Sequence, residues 1–220
     1  MRTLEIERRP RLRDQVYDAL RGLLRNGDFP EAGLVENELA ARLKVSRTPV
    51  REALFQLCRE GMLEDTGRGY RVPGLDVKDM REIVEMRMMI EPQVVALAVE
   101  RADTAALAAL ERELAVEISA HEAGDVAAFA TANGRFRAQL LASCGNSRIS
   151  QILGVIDDQL QRLRLRTLVV PENRLATLRG HEAILVALRR RDPQAAAQSM
   201  RDILAAAGRF YEGLAATGSS

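Results

Sequence analysis

The feature that most limits what this chain can fold into lies between Glu36 and Glu60, where two short helical patterns are separated only by Lys44, Val45 and Ser46. Leu39, Ala40 and Leu43 put one apolar face on Glu36–Leu43. Val50, Ala53, Leu54, Leu57 and Cys58 put another on a helix expected from Arg47 to about Glu60. Ser46 suits the N-cap, its hydroxyl expected to satisfy an orphan backbone N–H, and Pro49 at the third helical position lacks only a donor that has no intrahelical partner there. With the apolar stripe turned inward, Arg47 and Arg51 lie four apart on the opposite face, flanked by Thr48, Glu52 and Gln56. Two helices joined by a tight turn, the second presenting Arg and Thr near its start, match what a DNA major groove accepts. The plainer alternative is a capped surface helix with solvated arginines.

The neighbouring segments favour the first possibility. Val16, Leu20, Leu23 and Leu24 give a scaffold helix over Arg13–Arg25 that stops at Asn26-Gly27. After Gly61, the stretch MLEDTGRGYRV alternates loosely and turns at Gly67-Arg68-Gly69, a two-stranded hairpin with a basic tip. Such a wing can set Arg68 against the minor groove or a phosphate, with Gly69 allowing close backbone approach. The order helix, helix, turn, helix, hairpin is far more specific than a lone helix-turn-helix pattern. Net charge is only +1, but Arg8, Arg9, Arg11 and Arg13 form a basic arm, and Arg42, Lys44 and Arg47 are the only charges from Leu39 to Val50. Two such clusters on one small domain suit a phosphate partner.

Gly and Pro punctuate the chain up to Gly74 and then become sparse, which places a domain boundary around residues 72–76: a winged helix-turn-helix over 1–73 and a helical domain over 76–215. Aromatic residues are 4% of the chain with no Trp, while Ala, Leu, Arg and Glu recur, so the expected fold is mainly α. From the N-cap Asp76 a long helix is expected to be interrupted and kinked at Pro92. Further helices are expected over Thr104–Ala123, Asp125–Ala142, Ser147–Leu168, Glu172–Arg191 and Pro193–Leu214, giving an all-α six-helix bundle. The alternating Arg162, Arg164 and Arg166 cannot share one helical face, so some of them are expected in solvent or in dimer contacts.

Cys58 and Cys144 have neither a CxxC partner nor a nearby His, so neither a zinc knuckle nor a disulfide framework is indicated. No secretory apolar region and no run near the roughly 20 residues of a membrane span is present, so cytoplasm is the expected location. No P-loop, GxSxG or HExxH motif supports an enzyme, and only His121 and His181 are available as imidazoles. Arg87, Asn133, Arg137 and His181 stand at inward positions among apolar neighbours, where they are candidates to face a ligand cavity.

The segment ENELAARLKVSRTPVREALFQLCREGMLEDTGRGYRV resembles the GntR family of bacterial regulators, with the match covering roughly Gln15 to Val72. The resemblance implies DNA contacts from Ser46, Arg47, Thr48 and Arg51 in the recognition helix and from Arg68 and Gly69 in the wing. Asn37 stands where some members have a DNA-contacting Arg. VEMRMMIEPQVVALA, RFRAQLLASCGN and HEAILVALRRRDPQAAAQSM are similar to the helical FCD effector domain of the FadR-type subgroup. Many members of that subgroup hold a divalent metal with an Asp and three His. The matching positions here are Asn133, Arg137, His181 and Ile203, so no metal and no cofactor is expected. Arg137 would instead take the cation's place and pair bidentately with an effector carboxylate or phosphate; the alternative is an internal ion pair with Glu85 or Glu91. The chain is thus expected to be a homodimeric regulator of double-stranded operator DNA, a repressor released by a small carboxylate-type metabolite. A ligand-independent architectural DNA-binding protein is the competing expectation.

Overall fold

The computed structural model describes residues 11–26, 28–30, 33–74 and 76–217, so Arg8 and Arg9 of the basic arm and Gly27 of the first turn lie outside the described residues. The chain divides into two compact units, Met1–Gly74 and Leu75–Ser220.

In the first unit, α1 (Leu12–Asn26), α2 (Glu36–Leu43) and α3 (Arg47–Arg59) precede two short strands, β1 (Glu64–Asp65) and β2 (Tyr70–Arg71). Val16, Leu20 and Leu24 of α1 meet Val50, Ala53, Leu54 and Leu57 of α3 in one buried cluster, so both helices bury the stripes their sequences display. Outside that cluster, Tyr17 Oη donates to Glu60 Oε2 at 2.6 Å and ties the start of α1 to the end of α3. The reversal between α2 and α3 rests on Lys44 in the left-handed region, at φ 55°. From there its N–H and that of Val45 close onto the last turn of α2 through Ala41 and Ala40 carbonyls.

Two expectations change here. Ser46 occupies the N-cap of α3 with extended backbone, but its hydroxyl makes no capping hydrogen bond. The hairpin is also shorter than its sequence pattern. Met62 and Leu63 are buried in the helical cluster before β1 begins, which leaves only the pairs Glu64↔Arg71 and Asp65↔Tyr70. A third segment stiffens it: Leu34 N–H donates to Tyr70 O at 2.9 Å and Tyr70 N–H to Leu34 O at 2.8 Å, an isolated bridge that anchors the wing to the chain entering α2.

The second unit consists of the helices α4 (Val77–Arg101), α5 (Thr104–Glu122), α6 (Val126–Ser143), α7 (Ser147–Leu168), α8 (Pro171–Arg190) and α9 (Pro193–Thr217). Short polar side chains cap them: Asp76 and Asp79 form a reciprocal capping box, Asp103 accepts from Ala106 N–H, Asp125 from Ala128 N–H, and Asn146 from Arg148 and Ile149 N–H. Pro171 and Pro193, read as breaks, are the first residues of α8 and α9, where a missing donor costs nothing. Pro92 does not interrupt α4, which runs on through it. Phe129, Phe136, Leu110, Leu140, Ile184 and Leu204 form the centre of the core. Helix α4 packs on α9, α5 on α6, and α8 on α9, so the inward faces of α4, α6, α8 and α9 converge. Among the described residues no helix is long and apolar enough to cross a membrane.

Candidate functional site

The first unit carries the residues singled out at the start of α3. Ser46, Arg47, Thr48 and Arg51 are all exposed at the beginning of the helix, and Arg68 is exposed on the hairpin turn. Gly67 supplies that turn's positive φ of 75°, with Asp65 Oδ1 accepting from Gly67 N–H at 2.8 Å and Thr66 Oγ1 donating to Gly69 O at 2.9 Å. Gly69 is needed for a different reason. A Cβ there would lie 2.9 Å from the Leu34 carbonyl oxygen, so the close backbone approach it permits is made within the protein itself.

A residue that sequence reasoning passed over organises this face. Glu36, the first residue of α2, accepts from Arg51 Nε at 3.0 and 3.2 Å, from Arg51 Nη2 at 3.0 Å, from Arg47 Nη2 at 3.3 Å and from Tyr70 Oη at 3.4 Å. The hydrogen bonds from Arg51, together with those from Arg47, hold its carboxyl below the usual carboxylate range against a smaller upward push from burial. Only its sequence position, an acid opening a short helix before an Arg-bearing one, hinted at this.

In the second unit, the four positions that the resemblance pointed to come together. Asn133, Arg137, His181 and Ile203 all line one cavity of about 70 Å³, joined by Arg87, Arg164 and Tyr211. Among the described residues lining it none is acidic. The acids stand behind. Glu91, 2% exposed, accepts from Arg87 Nε at 2.6 Å and Nη2 at 3.3 Å, and from Arg137 Nη1 at 3.0 Å and Nη2 at 2.9 Å. Burial alone would push this carboxyl up, but the facing charges of Arg137 and Arg87 outweigh it and hold it at about 2. Glu117, 0% exposed, lies with Oε2 2.9 Å from His181 Nδ1 and accepts from Asn133 Nδ2 at 3.5 Å. The His181 ring stacks on Phe136 at a centroid distance of 3.9 Å, which fixes its plane.

The Glu91 carboxylate is shared by the Arg87 and Arg137 guanidiniums, and Arg164, also buried, adds a third guanidinium to the lining. The Tyr211 hydroxyl senses all of them: burial pushes its pKa up while Arg87, Arg164 and Arg137 pull it down. Of Arg162, Arg164 and Arg166, some of which were expected in solvent or at a dimer contact, Arg164 is buried in the bundle; the side chains of Arg162 and Arg166 lie outside the described residues. Arg137 pairs with Glu91, whereas Glu85 is exposed. An amide, a guanidinium, a butyl chain and one imidazole engaged by Glu117 do not suit a divalent cation, whose charge Arg137 would oppose. Among the described residues no cluster of three or more His, Cys, Asp or Glu side chains assembles.

The family model described as bacterial regulatory proteins, gntR family, matches residues 12–72, and that of the FCD domain matches residues 82–206. The uncharacterized HTH-type transcriptional regulator YdhC of Bacillus subtilis (strain 168) is 29% identical over 173 residues, 77% of this chain and 77% of that protein. The Nta operon transcriptional regulator of Aminobacter aminovorans is 40% identical over 99 residues, 42% of this chain and 47% of that protein. Among solved structures, E. coli McbR/YncC superposes with a TM-score of 0.80 at 25% identity, covering 92% of this chain and 98% of that one.

Proposed function

Because the chain belongs to the GntR family of bacterial regulatory proteins and carries an FCD domain, it is a transcriptional regulator, and we propose that it represses from an operator until a small carboxylate enters its helical unit. Operator DNA is read by Arg47, Thr48 and Arg51 in the major groove, with Ser46 at the helix start on a phosphate and the Arg68-Gly69 tip on a phosphate beside the neighbouring minor groove. One such module covers few base pairs, so a two-fold homodimer reads two half-sites.

The observation that carries the effector reading is the charge of the cavity. Arg87, Arg137 and Arg164 line it with His181, Asn133 and Tyr211, and Glu91, which pairs with Arg87 and Arg137, sits behind the wall. A cation-lined space of about 70 Å³ favours a compact anion, whose carboxylate competes with Glu91 for the Arg137 guanidinium and gains from the neighbouring Arg87 and Arg164. The site works without metal, the guanidinium supplying the positive charge.

The experiment is selection of duplexes from a random library by the full-length protein, followed by gel shifts on the selected duplex with a panel of small mono- and dicarboxylates and their amides. Release by a carboxylate and not by its amide supports the proposal. Binding indifferent to every anion favours the ligand-independent architectural role, a reading to which the internally satisfied Arg137–Glu91 pair lends some weight.

A further inference from the structure

We infer that Glu36 is a positioning residue for DNA recognition, holding Arg51 and Arg47 in the orientation from which they read bases and linking them to the wing. This rests on the DNA-binding role proposed for α3 and adds a residue from a different helix to it.

The geometry separates a buttress from a competitor. Arg51 meets Glu36 side-on, through Nε and Nη2, so its Nη1 is not engaged by that carboxylate and the terminal edge of the fork faces away from it. That terminal edge can read a guanine with two N–H groups directed at O6 and N7. The pairing with Glu36 therefore orders the side chain without occupying the edge that recognition uses. Arg51 is 60% exposed and Arg47 58%, so without a partner both would sample many rotamers, and ordering them on the DNA would weaken binding. Glu36, at 17% exposure, is far more enclosed than either. It is set at the first turn of α2, and its Oε1 also receives the Tyr70 hydroxyl from β2. One carboxylate carried on α2 thus touches both the recognition helix and the wing, and Tyr70 is also the residue bridged to Leu34. A carboxylate near a phosphate backbone weakens non-specific attraction. Its placement here costs general affinity and favours discrimination, the trade expected of a specificity device.

The test uses the full chain and duplexes enriched by the wild-type protein from a random library, with a scrambled duplex of equal length and composition as the non-specific reference. Glu36→Gln keeps the side chain's size and removes its charge. The expected result is a fall of about tenfold in the ratio of selected to scrambled affinity, with scrambled affinity unchanged or tighter. Tyr70→Phe removes one tether to the same carboxylate and should lower that ratio less. An unchanged ratio in Glu36→Gln, or an equal gain on both duplexes, would overturn the positioning role and leave a plain electrostatic brake. If the wild type enriches no motif, the DNA-reading proposal itself fails and this inference with it. Thermal melting of each variant distinguishes a loss of fold, which lowers both affinities together, from a loss of discrimination.

Discussion

Arg137 and Glu91 meet fork to fork across α6 and α4, Nη1 to Oε2 at 3.0 Å and Nη2 to Oε1 at 2.9 Å, with both side chains buried. Arg87 approaches the same carboxylate from one turn earlier on α4. Among the described residues the bundle centre is therefore organised by buried carboxylates, Glu91 on the arginines and Glu117 on His181.

Removing the acid should be severe. Glu91→Gln keeps the shape but removes the charge that two buried guanidiniums share, a loss of about 3–5 kcal/mol by the usual cost of breaking a buried pair. Urea unfolding followed by circular dichroism measures it. Added phosphate or a small carboxylate should recover part of the loss in Glu91→Gln and far less in Glu91→Gln/Arg137→Met.

The same carboxyl sets a pH dependence. Its pKa is lowered from 4.5 to about 2 in the fold, so the unfolded chain binds its proton first as pH falls. The stability it contributes is complete above about 4.5 and is lost progressively as pH drops from there toward about 2. The difference in unfolding free energy between wild type and Glu91→Gln should shrink across that window by about 3 kcal/mol and stay flat from pH 5 to 7. A difference that is constant across the acid range would contradict the pairing.

Effector sensing and DNA binding should separate by residue. Arg137→Met is expected to leave operator affinity within about twofold while carboxylate-induced release weakens by tenfold or more, as loss of a bidentate charge-assisted contact predicts. In the first unit, Arg51→Ala should relax base preference at one position of the half-site by about 1–3 kcal/mol. Arg68→Ala should weaken all duplexes alike and reduce the salt slope by about 1. Gel shifts on a single-substitution panel at several salt concentrations resolve both.

Much of this was legible because it is local. The stripe Val50-Ala53-Leu54-Leu57 fixes which side of α3 is buried, and by subtraction that Arg47 and Arg51 point outward; both follow from helix periodicity alone. Asp76, Asp103 and Asp125 announce helix starts by the short reach of their carboxylates. Less legible are the residues whose role depends on which helix lies opposite: Glu91 was one of two candidates for Arg137, and Glu117 was not singled out. Glu91 and Glu117 look like ordinary acids on amphipathic helices, and only the meeting of α4 with α6, and of α5 with α8, turns them into buried partners of Arg137 and His181. Arg87–Glu91 was available as an i, i+4 pair, but spacing alone does not tell a buried pair from a solvated one. The Leu34–Tyr70 bridge was invisible because a single pair of hydrogen bonds leaves no alternation in the sequence.

The contact between α8 and α9 gives a way to change the cavity without touching its charges. Gly180 lies one residue before His181, and a Cβ on it would fall 2.3 Å from Ile203 Cγ1 and 2.5 Å from Cδ1. Those are the flexible end of a side chain that itself lines the cavity, so Gly180→Ala must drive Ile203 aside or part the two helices. Displacement of Ile203 toward the space beside Arg137 would shrink the volume open to a ligand; separation of α8 and α9 would instead lower stability, by about 1–3 kcal/mol for overpacking. Titration calorimetry with the releasing carboxylate and urea unfolding on the same samples distinguish the two. The expected result is weaker effector binding with DNA affinity preserved, and recovery in Gly180→Ala/Ile203→Ala, where the methyl group has room. If the double variant binds effector no better than Gly180→Ala alone, Ile203 is not the wall that limits the cavity.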